Sequence, residues 1–96
     1  MEIVKLTKLT KVNGSELSEI QLDLDSLRGK DLIELEQGFR MLHRNEYIPV
    51  INIDARYQAF VAGRVCGINP EDLGELLAPD FVAVCSRVQN FLLSAG

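Results

Sequence analysis

The stretch TKVNGSEL, residues 10–17, decides how the chain begins to fold. Asn13-Gly14 is a dipeptide that tolerates positive φ at two successive positions, as a two-residue type I′ hairpin turn demands. Outward from it, Val4 and Leu6 alternate with polar residues on one side, and Ile20, Leu22 and Leu24 do so on the other. This is the period of a half-buried strand, so a β-hairpin is predicted over about residues 3–24. A tight turn pairs residues whose numbers sum to 27, setting Lys11 against Glu16 and Lys8 against Glu19, both favourable by charge. The same register wastes Leu6 on Gln21 and Val4 on Asp23, whereas a sum of 28 gives Leu6–Leu22 and Val4–Leu24. One extra residue on the second strand satisfies both halves. A β-bulge is therefore expected near Ser18–Ile20.

After the hairpin the period changes from strand to helix. In LRGKDLIELEQGFRMLHR, residues Leu32, Leu35, Phe39 and Leu42 form a stripe supported by Ile33. Asp31, Glu34 and Glu36 lie near the start and Arg40 and Arg44 near the end, which suits the helix dipole. A helix over about 29–44 is predicted, with Gly38 marking a close contact because glycine there costs roughly 1 kcal/mol relative to alanine. Pro49 then interrupts, leaving an apolar connector that contains Tyr47, Ile48, Val50, Ile51 and Ile53. It reads either as an extended cover over the core or as an edge that accepts a partner by strand addition.

Three more helical pieces follow. Asp54 is a good N-cap for a helix over 54–66, with a stripe of Tyr57, Phe60, Val61, Arg64 or Val65, and Ile68, and with Gly67 at C′. Asn69, Pro70 and Asp72 open a short helix over 70–77 whose Leu73, Leu76 and Leu77 point inward. Pro79 opens the last helix, 79–93, with Phe81, Val84, Cys85, Val88, Phe91 and Leu92 on one face. The fold class is α+β, an N-terminal β-hairpin followed by a small bundle of three to four helices. One domain over 1–96 is expected.

Composition narrows the function. Hydrophobic content of 47% and charged content of 25% fit a globular domain. A net charge of −4 argues against a nucleic-acid partner, which requires cations to displace phosphate counterions. No apolar run is long enough to span a membrane, and MEIVKLTKLTK builds no signal-peptide core, so a cytosolic location is expected. Cys66 and Cys85 read as two reduced core thiols.

The catalytic inventory is thin. His43 is the sole histidine and decorates or caps the end of its helix; a multi-histidine metal site is ruled out. Asp23 and Asp25 read as solvated, Glu34 and Glu36 fall on different helical faces, and Glu71 and Asp72 serve capping. SLRGKDL lacks the first glycine and the hydroxyl of a phosphate loop. No catalytic, cofactor-binding or metal-binding residue is assigned, and a binding module is expected.

Two long segments carry a resemblance. EIVKLTKLTKVNGSELSEIQLDLDSLRGKDLIELE resembles the hairpin and helix entry of the tail assembly chaperones of long-tailed bacteriophages and prophages, with Gly29, Lys30, Asp31, Leu32, Glu34 and Glu36 matching the entry. YQAFVAGRVCGINPEDLGELLAPDFVAVCSRVQNFLL is similar to the later pattern of that family: Tyr57, then Gly67, Ile68, Pro70, Asp72 and Leu73, then Leu77, Asp80 and Phe81, ending on Val88, Gln89, Asn90, Phe91 and Leu92. Arg28 departs from the family's Ser/Thr, Asn69 is inserted before Pro70, and VAGR at 61–64 replaces an alanine-rich run. The resemblance implies a non-enzymatic chaperone that binds the tape measure protein, keeps it soluble while tail tube protein is recruited, acts in the host cytoplasm and is absent from the mature virion. It also implies that a longer product made by ribosomal slippage can accompany the short one. Partner binding is expected at Tyr47, Ile48, Val50, Val88, Phe91 and Leu92, by a helix laid in a groove, with Asp31, Glu34 and Glu36 as an acidic rim. Self-association, a structural virion subunit and a helix-turn-helix DNA binder using Arg87, Gln89 and Asn90 are the alternatives.

Overall fold

Asn13 (φ 50°) and Gly14 (φ 83°) both take left-handed backbone, as the I′ turn requires. They join β1 (Glu2–Val12) to β2 (Ser15–Leu22) in a two-stranded antiparallel sheet. Four helices follow: α1 (Gly29–Leu42), α2 (Ala55–Cys66), α3 (Pro70–Leu73) and α4 (Ala78–Ser94). The architecture is thus α+β, as the period change requires. This computed structural model describes residues 1–94; Ala95 and Gly96, the last two residues of the expected domain, lie outside the described residues.

The hairpin register departs from expectation. Pairs near the turn are Val12↔Ser15, Lys11↔Glu16 and Thr10↔Leu17, and those near the base are Lys5↔Glu19, Val4↔Ile20, Ile3↔Gln21 and Glu2↔Leu22. The irregularity lies between Lys5 and Thr10 on the first strand, not at Ser18–Ile20 on the second. Lys5 therefore takes the place expected of Lys8, and Val4 meets Ile20 instead of Leu24. The cause comes from α4. Asp80 accepts the Thr7 backbone N–H at 3.2 Å and the Thr7 hydroxyl at 3.1 Å, replacing ladder bonds that the displaced stretch gives up. The carboxylate is 3% exposed, and it lies in the first turn of α4, where the dipole favours an anion.

Each helix end has a local cause. Arg28 has no side-chain acceptor to cap α1, so Asp31 reaches back and accepts the Arg28 N–H at 2.8 Å. His43 is the C-cap and α1 stops at Leu42, two residues short of the predicted end. The Asp54 side chain accepts the Arg56 N–H, and Gly67 (φ 75°) closes α2 in the left-handed region. Asn69 accepts the Glu71 N–H at 3.0 Å, but α3 ends at Leu73 rather than at 77. The chain turns through Gly74, so Leu76 is buried while Leu77 is exposed, contrary to its expected inward position. Leu42 and Ile33 also leave the predicted α1 stripe for solvent; Leu35 and Phe39 alone on it are fully buried.

The central element is α2, which touches α1, α3, α4 and β2. Tyr57, Val61 and Ala62 on α2 pack with Ile20 and Leu22 of the hairpin, Leu73, and Val84 and Val88 of α4. Such approach depends on small residues. A Cβ on Gly63 would stand 2.6 Å from the Ile68 carbonyl oxygen and 3.0 Å from the Pro70 ring. By contrast, a Cβ on Gly38 would meet the Phe60 ring at 3.6 Å, an ordinary contact.

Two outcomes follow for chemical denaturation. Gly38→Ala stabilises by about 0.5–1 kcal/mol through helix propensity, whereas Gly63→Ala destabilises by roughly 1–3 kcal/mol because backbone blocks the new methyl. Equal effects at the two glycines would refute the distinction. Asp80→Ala is expected to cost about 1.5–3 kcal/mol, the range for hydrogen bonds to a charged group, and a smaller loss would show that the Thr7 contacts are dispensable.

Candidate functional site

The end of α1, the face of α2 and the start of α4 leave an apolar groove of about 470 Å³. Phe39, Ala59, Phe60 and Phe81 line it, Leu42 and His43 stand on its α1 side, and Pro70, Glu71 and Gly74 close the other. Helical spacing positions the aromatics. Phe39 follows Leu35 by one turn and is driven into the core, where it meets Tyr57 edge-on at 5.3 Å and Phe60 at 5.7 Å. Phe60 and Phe81 are half-buried, so part of each ring remains available. Leu42 is 70% exposed on the rim.

A charged cluster borders the groove. His43 Nδ1 lies 2.8 Å from Glu46 Oε2, Arg56 donates to Glu46 at 3.0 Å, and Arg56 also donates to Asp54 at 3.0 Å. The Arg56 guanidinium stands 5.9 Å from the Phe39 ring centre, and the His43 ring packs on the same phenylalanine at 4.5 Å. Hydrogen bonds from His43 first, and from Arg56 second, hold the Glu46 carboxyl below its ordinary value of 4.5. The Arg56 hydrogen bond likewise lowers Asp54, and these two carboxylates raise Arg56. The cluster thus fixes the loop after α1 to the start of α2.

The connector is not a strand edge. It holds a 3-10 turn at Ile51–Ile53, with Ile48 and Ile51 pushed into the core and Tyr47, Val50 and Ile53 left in solvent. Arg40 donates to the Ile48 carbonyl at 3.1 Å, and Gln58 donates to Asn52 O at 2.9 Å, pinning the connector at both ends. Arg56 lines both the apolar groove and the shallow cleft under Tyr47 and Val50, so the two surfaces adjoin.

The expected partner-binding residues therefore separate. Tyr47 and Val50 are exposed, with Tyr47 at 90%. Ile48 and Val88 are buried core residues; Val88 is wholly inaccessible because α4 turns it toward α2. Phe91 and Leu92 are half-buried against the core. The acidic rim is largely engaged, since Glu36 pairs with Arg40 at 3.3 Å and Asp31 with Arg64 at 3.4 Å. Residues that the sequence reading did not assign, Leu42, Phe60 and Phe81, form the better apolar site. Their available signal was the end of the α1 stripe beside two aromatics already given to the α2 and α4 stripes.

Other chemistry is sparse. Both thiols are free and burial pushes them up, Cys85 to about 11, which suppresses the reactive thiolate. Among the described residues, no three His, Cys, Asp or Glu side chains gather as a metal cluster, and no helix is long and apolar enough to cross a membrane. No family model matches this chain, and no curated protein or solved structure matches it.

The sign of the pH dependence is set by the lowered Glu46. A depressed carboxyl stabilises the fold above its unfolded value and loses that contribution as pH falls through the folded one. Wild type is expected to exceed Glu46→Gln in melting temperature at neutral pH, with a gap that narrows from about pH 5 downward. A gap independent of pH would remove the Glu46 bridge from the fold's stabilising contacts.

Proposed function

We propose that this chain is a tail assembly chaperone of a long-tailed bacteriophage or prophage, a non-enzymatic binder of the tape measure protein. The observation that carries the reading is the groove lined by Phe39, Phe60 and Phe81 with exposed Leu42 on its rim. Its apolar lining and open top fit the apolar face of an amphipathic helix, the type of segment a tape measure protein supplies in abundance. Tyr47 and Val50 extend the contact beyond Arg56. The net charge of −4 keeps such a complex dispersed once the apolar faces are covered. The sequence resemblance supplies the partner's name, and the groove supplies a place for it. On this reading the protein works in the host cytoplasm, hands its client to tail tube protein and leaves before the virion is finished.

The DNA-binding alternative has less to stand on. Arg87 is held by Glu2 at 3.0 Å and the Gln89 amide oxygen accepts from Gln58 at 2.8 Å, so two of its three base-reading side chains are occupied. An α3 of 4 residues also makes a short first arm for such a motif.

Co-expression with the neighbouring tape measure protein tests the proposal. Wild type is expected to raise the soluble fraction and to co-purify, while Leu42→Glu lowers the captured client at least about tenfold without changing the melting temperature. An insoluble, unbound tape measure protein alongside folded wild type would overturn the reading. Recovery of this chain in purified particles would favour a virion subunit instead.

A further inference from the structure

The two edges of the hairpin are treated differently. The outer edge of β1 is covered: Asp80 takes the Thr7 N–H, and Arg87 reaches Glu2 from the same helix. β2 has β1 on one side only. Its other side faces a groove of about 550 Å³, walled opposite by the linker Cys66–Asn69 between α2 and α3. A two-residue I′ turn closes on a hydrogen-bonded pair, here Val12–Ser15, so the backbone groups of the next residue, Glu16, point away from β1 and toward the open edge.

The groove has a chemical polarity. Its charged lining residues are Glu16 and Glu19, and among the described residues neither is in an ion pair. Glu19 accepts only a neutral bond, from the Gln21 amide at 3.0 Å. Half-buried Leu17 and Ile68 lie between the walls and supply apolar contact. Carboxylates on an edge strand repel a strand of the same charge and leave the edge open to a cationic one. A second copy of β2 would bring a second Glu16 and a second Glu19 into the same groove, which disfavours self-pairing.

We propose that the β2 edge is a second binding site, which takes an extended basic segment of a partner protein by strand addition, with alternating apolar and Lys/Arg side chains. Backbone hydrogen bonds along Ser15–Gln21 hold the segment, its apolar side chains meet Leu17 and Ile68, and its cations meet Glu16 and Glu19. This site is separate from the apolar groove and does not depend on the chaperone reading.

The test uses the whole chain and a synthetic probe. An N-acetylated, C-amidated peptide of alternating lysine and valine, matched to the 8 residues of β2, is titrated while backbone amide shifts are followed by NMR. Expected shifts fall on Ser15–Gln21 and Cys66–Asn69, and binding weakens with salt. The same peptide N-methylated at alternate residues keeps its charge and loses its outward donors, and is expected to bind at least about tenfold more weakly. Glu16→Gln with Glu19→Gln is expected to weaken the unmethylated peptide while the free protein keeps its hairpin spectrum. Equal binding by the two peptides, or shifts at Phe60 and Phe81 instead, would overturn the proposal. So would a concentration-dependent dimer of the free protein with Ser15–Gln21 protected from exchange, which would assign the edge to a second copy.

Discussion

Everything in this fold meets α2, and α2 admits that many neighbours because its contact positions are small. Ala59, Ala62 and Gly63 leave room where a larger side chain would hold the next element off. At Gly63 the requirement is absolute, since the backbone carbonyl of Ile68 occupies the space of a β-carbon. That contact folds the linker after α2 back against its own helix, which in turn sets where Asn69 caps α3 and where the wall of the β2 groove stands. One missing methyl therefore positions both the short helix and a candidate binding surface.

The hairpin illustrates what a sequence carries locally and what it does not. Asn13-Gly14 encodes its turn by its own conformational preference, and the pairs beside the turn follow as counted. The base of the hairpin does not, because its register is decided by Asp80, far along the chain. No rule applied to residues 3–24 contains that carboxylate. The helix caps at Asp54, Gly67 and Asn69 were legible because each cap is a local exchange between a side chain or a glycine and the adjoining backbone. Leu42, Leu77 and Ile33 were misplaced for the opposite reason: periodicity names the apolar positions of a helix but not how many of them the neighbouring elements reach.

The same asymmetry governs the binding surfaces. Val88 and Ile48 carry the composition of a sticky surface and turn out to be core, while Tyr47 and Val50 keep solvent exposure. The apolar groove assembles Phe39, Phe60 and Phe81 from separate helices, so no single stretch announces it. Its border of His43, Glu46, Arg56 and Asp54 was likewise invisible as a unit. The β2 edge differs from that groove in both geometry and charge, one offering backbone groups and carboxylates, the other aromatic rings. A protein of this size thus presents two faces suited to two kinds of segment.

The covered edge of β1 has a consequence for how the molecule is made. The groups that protect it, Asp80 and Arg87, are the last quarter of the chain to leave the ribosome, whereas β1 is the first. Through most of translation the young strand has its partner β2 but not its cover, and the centre of the core waits for Val84 and Val88. Contacts of such long sequence separation form late and slowly. Folding of this chain is therefore expected to finish after synthesis rather than during it, with the N-terminal strand exposed to other nascent chains until α4 arrives.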